Sequence, residues 1–232
     1  ACTTLRINNP EIPVLCGDIT QGEIKDIIVK VAKEGSADII CGGPPCQGFS
    51  MAGFRSENDP RNQLFREFVD IVKRVNPKVI VFENVEGILS YQGGKTYHEV
   101  HSLFSELGYN TEGRTLMANH FAVPQKRKRV IIICTRNDMD ILPVDLFPNP
   151  VTFSEKDQVT AWETISDLEN VKCDTGAKYV NTQPSDILQF FKGELSYEDY
   201  INKKSSKIES SKDNLDYIMD TDGQLVINQA KC

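Results

Sequence analysis

The stretch KVIVFEN, residues 78–84, decides how the rest of the chain is read. Val79, Ile80, Val81 and Phe82 are consecutive, apolar and mostly β-branched, with Asn76-Pro77 before them and Glu83-Asn84 after. Such a short run between turn residues predicts a strand buried on both faces. Upstream, Leu64, Phe65, Phe68, Val69 and Val72 recur at helical spacing and stop at Asn76-Pro77. Downstream, Val100, Leu103, Phe104 and Leu107 mark a second helix, closed by Gly108. ADIIC (37–41) and RVIIIC (129–134) are further buried-strand candidates, and EIPVLC (11–16) is a short apolar run. Thr20 and Glu23 have capping-box spacing, ahead of an apolar stripe of Ile24, Ile27, Ile28 and Val31 that ends at Gly35. Buried strands separated by single helices predict an α/β domain, a mostly parallel sheet with helices on both faces.

The bulk properties set bounds. With 232 residues, 40% of them hydrophobic, the chain can build a sizeable core. A formal charge of −7 argues against coating nucleic acid by bulk electrostatics and leaves room for a local basic patch. No run of eighteen apolar residues exists, so no membrane span is expected, and ACTTLRINNP has no signal-peptide core. Seven cysteines, an odd number with no C-x-x-C pair, predict reduced thiols rather than a disulfide frame or a metal site. The expected division is a catalytic domain over 1–150 and, over 151–232, a connector with the start of a recognition region. LPVDLFPNP reads as a connector, TAWETISDL as a short helix carrying Trp162, and 181–222 as weakly folded or linker-like.

In open α/β sheets, ligands bind beyond the carboxyl ends of the strands. GGPPCQGFS (42–50) and ENVEG (83–87) both fall there. A free thiol has a pKa of about 8.5, so only a small fraction of Cys46 is thiolate at neutral pH, yet that fraction is a strong nucleophile. Proline holds φ at about −65°, so Pro44 and Pro45 stiffen the approach to Cys46. The plain alternative is a small buried hydrophobe. Glu83 ends an apolar strand, where desolvation tends to raise a carboxyl pKa and suits proton donation to a ring nitrogen; a helix cap or ion-pair partner is the alternative. Asn84 can hold the loop by side-chain-to-backbone bonds. Arg127 and Arg129 stand two apart entering a strand, a spacing that puts both on one face against an anionic or carbonyl-rich ligand. A solvated charge run is the competing account.

Taken together and in order, GDIT (17–20), GGPPCQGFS (42–50), NQLFREF (62–68), FENVEGIL (82–89) and VPQKRKRV (123–130) resemble the blocks of the DNA cytosine-5 methyltransferase family over roughly residues 1–170. The resemblance implies a Rossmann-like, S-adenosylmethionine-dependent methyltransferase fold. It implies that Cys46 attacks C6 of a cytosine flipped out of double-stranded DNA, and that Glu83 holds N3 and the exocyclic amine. It puts Arg127 against the target nucleotide, with Arg129 supporting the same face. For S-adenosylmethionine it implies Asp18 at the adenine amino group, Ile19 on the ring, and Pro45 and Leu64 lining the site. It assigns Gln47, Ser50, Asn84 and Gln125 to substrate contacts, and no metal. The family's glycine-rich first block and its late blocks have no counterpart here, so the fold is expected to be N-terminally incomplete and a complementing chain or segment is an expected partner. The expected setting is bacterial restriction-modification in the cytoplasm, at the nucleoid when acting. A silent methyltransferase-like subunit and a tRNA cytosine-5 methyltransferase are the alternatives.

Overall fold

The computed structural model describes residues 2–45, 64–152, 154–166, 186–191, 193–209, 217–219 and 225–227. They form two compact units, residues 1–113 with 130–147 and residues 114–129 with 148–232. Among the described residues no helix is long and apolar enough to cross a membrane.

A four-stranded sheet organises the first unit. β1 (Ile39–Gly42), β2 (Val79–Asn84), β3 (Tyr109–Met117) and β4 (Lys128–Arg136) lie in the order β1-β2-β4-β3. β1 and β2 are parallel, with Gly42 opposite Phe82. β4 runs antiparallel to β2, with Val130 opposite Asn84 and Ile131 opposite Glu83. The apolar run RVIIIC is therefore a buried strand as expected, but not a parallel one. The cause is β3, which sequence reading did not identify after the helix closed at Gly108. A chain that passes from one strand straight into the next, with no helical crossover, reverses direction.

Along β2, Ile80, Phe82 and Asn84 are buried and the alternate residues are half-buried. α3 (Leu64–Val75) turns Phe65, Phe68, Val69, Ile71 and Val72 inward, and α4 (Lys95–Glu106) adds Val100 and Phe104. Phe68, Phe82 and Phe104 meet edge to face, with ring centroids 5.7, 6.2 and 6.4 Å apart. Such pairs add about 0.5–1.5 kcal/mol each beyond the area they bury. Gly42 belongs to this packing, because a Cβ there would enter the Phe68 ring. α3 ends where Asn76 turns to φ +56° ahead of Pro77, and Gly108, at φ +88°, follows α4.

Three expectations are corrected. First, Thr20 does not cap α2 (Gly22–Glu34): the cap position is Gln21, with no side-chain bond. The Thr20 hydroxyl and N–H are both given to Asp18 instead. A capping box forms instead at a later T-x-x-E, Thr160 and Glu163, ahead of α5 (Ala161–Ile165). Second, the apolar stripe of α2 is rotated. Val29 is buried and Ile24 and Ile28 are half-buried, but Ile27 and Val31 are exposed. Ion pairs to α3 fix that rotation: Lys25 to Glu67 at 2.6 Å and Asp70 at 3.0 Å, and Arg74 to Asp26 at 2.6 Å. Third, Cys2 and Cys16 form a disulfide, with Cα atoms 6.1 Å apart. α1 (Cys2–Asn8) folds back on residues 14–16, and Arg6 Nη2 donates to the Val14 carbonyl at 3.0 Å. That return brings together two cysteines that spacing alone does not relate.

The second unit has a small core of Ala122, Val159, Ile187 and Tyr200. α6 (Asp186–Phe191) and α7 (Tyr197–Glu209) supply the last two, and Phe190 stacks on Tyr200 at 5.5 Å. Part of the stretch read as weakly folded is thus helical. Its apolar residues are few, but Ile187 and Phe190, and Tyr197, Tyr200 and Ile201, fall at helical spacing. Ser196 caps α7, accepting from the Asp199 N–H at 3.0 Å. β5 (Tyr217–Met219) and β6 (Leu225–Ile227) pair antiparallel.

Phe82→Ala should cost about 3–5 kcal/mol of unfolding free energy, the usual scale for emptying a fully buried phenylalanine site. Urea denaturation followed by circular dichroism measures this; a loss under about 1 kcal/mol would show that the three rings do not anchor the sheet.

Candidate active site

The parallel pair β1 and β2 ends in a rim of backbone and two side chains. Asn84 is 3% exposed. Its Nδ2 donates to the Pro44 carbonyl at 3.4 Å and its Oδ1 accepts from the Val85 N–H at 2.8 Å. The side chain therefore ties the segment leaving β1 to the segment leaving β2. Beside it, Glu83 is half-buried. A Cβ placed on Gly43 would lie 2.8 Å from Glu83 Oε2, so the carboxylate lies where a side chain at 43 would point. Pro45 is exposed at the end of this segment. Cys46 follows it directly in the chain but lies outside the described residues, as do Gln47 and Ser50.

Elsewhere in the same unit, Asp18 is exposed in the turn leading to α2. Its Oδ1 accepts from the Thr20 N–H at 2.9 Å and from the Thr20 hydroxyl at 2.8 Å. These bonds, the backbone one first, hold the Asp18 carboxyl below its ordinary value. A depressed carboxyl favours the fold above its unfolded pKa, and that contribution fades as pH falls through the folded value. Ile19 is half-buried beside it, and half-buried Leu64 opens α3. A fixed, exposed carboxylate next to an apolar side chain suits a flat heterocycle that carries an amine.

The arginine segment is built in the second unit. β4 starts at Lys128, so Arg127 precedes the strand and strand alternation does not govern it. Arg127 is exposed, whereas Arg129 is half-buried with Nη1 donating to the Lys128 carbonyl at 2.7 Å. The shared face expected from their spacing is therefore not set by the strand. Gln125 is exposed. The Ala118 N–H donates to the Arg127 carbonyl at 2.9 Å and closes residues 118–127 into one loop. Val130, which follows Arg129, lies opposite Asn84 in the sheet register. Gly43 was not singled out by sequence reading, although it lies in the quoted GGPPCQGFS block.

This is the frame of an α/β methyltransferase domain. The crystal structure of a protein encoded within an E. coli prophage has the same fold, with a TM-score of 0.64 at 23% identity over 90% of this chain and 60% of that one. The model of the C-5 cytosine-specific DNA methylase family matches residues 1–228, and the chain belongs to that family. Over 152 residues it is 40% identical to the type II methyltransferase M1.HphI of Haemophilus parahaemolyticus. Over 141 residues it is 41% identical to the type II methyltransferase M.Eco47II of E. coli. These alignments take in 64% and 60% of this chain and span 40% and 32% of the two relatives.

Two substitutions probe the rim and the turn. Gly43→Ala should displace the Glu83 carboxylate and shift its 13C resonance while leaving thermal stability nearly unchanged, because the contact is with the end of a flexible side chain. An unmoved resonance would mean that the carboxylate does not rest there. Thr20→Val removes one of the two bonds to Asp18, so the Asp18 carboxyl should titrate higher in an NMR pH series; a titration unchanged from wild type would count against the turn.

Proposed function

We propose that the chain carries the catalytic part of a DNA cytosine-5 methyltransferase of a bacterial restriction-modification system, working in the cytoplasm on nucleoid DNA. The observation that carries the reading is the tie between Asn84 and Pro44. It sets the proline-stiffened approach to Cys46 beside a half-buried carboxylate, the pairing that addition to a cytosine ring requires. C5 of cytosine is a poor nucleophile within the aromatic ring. The Cys46 thiolate adds to C6, electron density moves onto C5, and Glu83 holds N3 and the exocyclic amine while the ring takes up a proton. S-adenosylmethionine, when bound, supplies the electrophilic methyl group. Loss of the C5 proton and β-elimination then return the Cys46 thiolate and restore the ring.

Asp18 and Ile19 are the residues that would take the adenine of the cofactor, with Pro45 and Leu64 lining its site. Arg127 contacts the target nucleotide, Arg129 supports it, and Gln47, Ser50, Asn84 and Gln125 complete the substrate contacts. The target base has to leave the duplex stack for Cys46 to add to its C6. Residues 151–232 serve as the connector and the start of the sequence-reading region.

Two variants test the reading on genomic DNA in which part of the cytosine is replaced by 5-fluorocytosine, with S-adenosylmethionine present. Cys46→Ala should abolish the denaturation-resistant adduct, and adducts at the wild-type level would refute the nucleophile. On DNA with ordinary cytosine, Glu83→Gln keeps the shape and should slow turnover at least about 10²-fold, the scale of a positioned acid-base group. A rate within a few-fold of wild type would make the carboxylate structural.

A further inference from the structure

The loop that ends in Arg127 is held from outside itself by a short segment about thirty residues away. Ala118–Phe121 is a single 3-10 turn followed by Ala122, which sits at φ +60° and is 3% exposed. A non-glycine residue rarely adopts this left-handed conformation and keeps it only where its surroundings enforce it. Here the enforcing residues are Val151 and Thr152, whose N–H groups both donate to the His120 carbonyl, at 2.9 and 3.0 Å. The Thr152 side chain, 0% exposed, completes the clamp. Its hydroxyl accepts from the Ala122 N–H at 2.9 Å and donates to the Asn119 carbonyl at 2.6 Å. From this turn the chain runs through Val123, Pro124 and Gln125 to Arg127, whose carbonyl returns to the Ala118 N–H at 2.9 Å.

We propose that Thr152 is a positioning residue for the reaction: its hydroxyl, by clamping Asn119 and Ala122, sets the loop that presents Arg127 and Arg129 to the target nucleotide. The inference rests on the reading of those arginines given under Proposed function. A threonine on a segment with no functional motif thereby acts on the site through backbone alone. Valine has nearly the same shape but can neither donate nor accept, so Thr152→Val takes the hydroxyl from the buried Asn119 carbonyl and leaves the Ala122 N–H only its bond to the Ala118 carbonyl. Serine keeps both bonds.

The test combines amide hydrogen exchange with the rate of adduct formation on DNA partly substituted with 5-fluorocytosine. Thr152→Val should speed exchange over residues 118–127 and leave β2 unchanged, and should slow adduct formation about tenfold. Thr152→Ser should stay within about threefold of wild type. In an Arg127→Ala background, Thr152→Val should cause little further loss, because the group it positions is gone. Thr152→Ala replaces the valine variant if that one fails to fold. Unchanged exchange over 118–127, or a Thr152→Val loss that simply adds to that of Arg127→Ala, would overturn the inference and leave the proposed function standing. A wild-type rate in Arg127→Ala, or no adduct from the wild-type chain, would remove the arginine reading or the proposed function itself, and this inference with it.

Discussion

The burial of Phe82 against Phe68 and Phe104 is the constraint on which the rest of the first unit depends. It fixes β2 in the sheet, and through the pairing of Gly42 with Phe82 it fixes where β1 ends. Because side chains alternate along a strand, burying Phe82 also buries Asn84 and turns Glu83 the other way. A slip of one residue would exchange them, removing the Asn84 tie to Pro44 and burying the carboxylate. The apolar core thus sets the geometry of the polar rim.

The rim itself shows how little side-chain chemistry a loop needs when backbone does the holding. Pro44 offers no N–H but keeps a carbonyl, and Asn84 takes it. Gly43 offers no side chain, and Glu83 occupies that space. In the second unit the same economy recurs, with carbonyls 119 and 120 and the Ala122 N–H satisfied from residues 151 and 152. In both places a loop is held by hydrogen bonds from residues distant in the chain, which makes its conformation sharply defined.

Charge is used locally. On the α2–α3 face, Lys25 and Arg74 pair with Glu67, Asp70 and Asp26. Ion pairs at a surface helix seam contribute little stability each. Their effect here is orientation, since they select which face of α2 is turned inward and leave Ile27 and Val31 outside.

The sequence alone determined that Val79–Asn84 is a strand, that α3 and α4 bury their phenylalanines, and that the motif order is that of the cytosine-5 family, because periodicity and contiguous motifs are written locally. It also marked Cys46, Glu83 and the arginines by residue type. Tertiary structure decided the rest. The direction of β4 depended on β3, and the partner of the Thr20 hydroxyl depended on where Asp18 sits. The Cys2–Cys16 bond depended on the chain turning back between them. α6 and α7 appeared as helices because a few well-spaced apolar residues found one another despite a polar average. Above all, Thr152 lies in none of the quoted motifs, and Gly43 is not singled out within GGPPCQGFS: a buried turn and a carboxylate are brought to them by distant parts of the chain, and a linear pattern does not record distances between residues far apart in it.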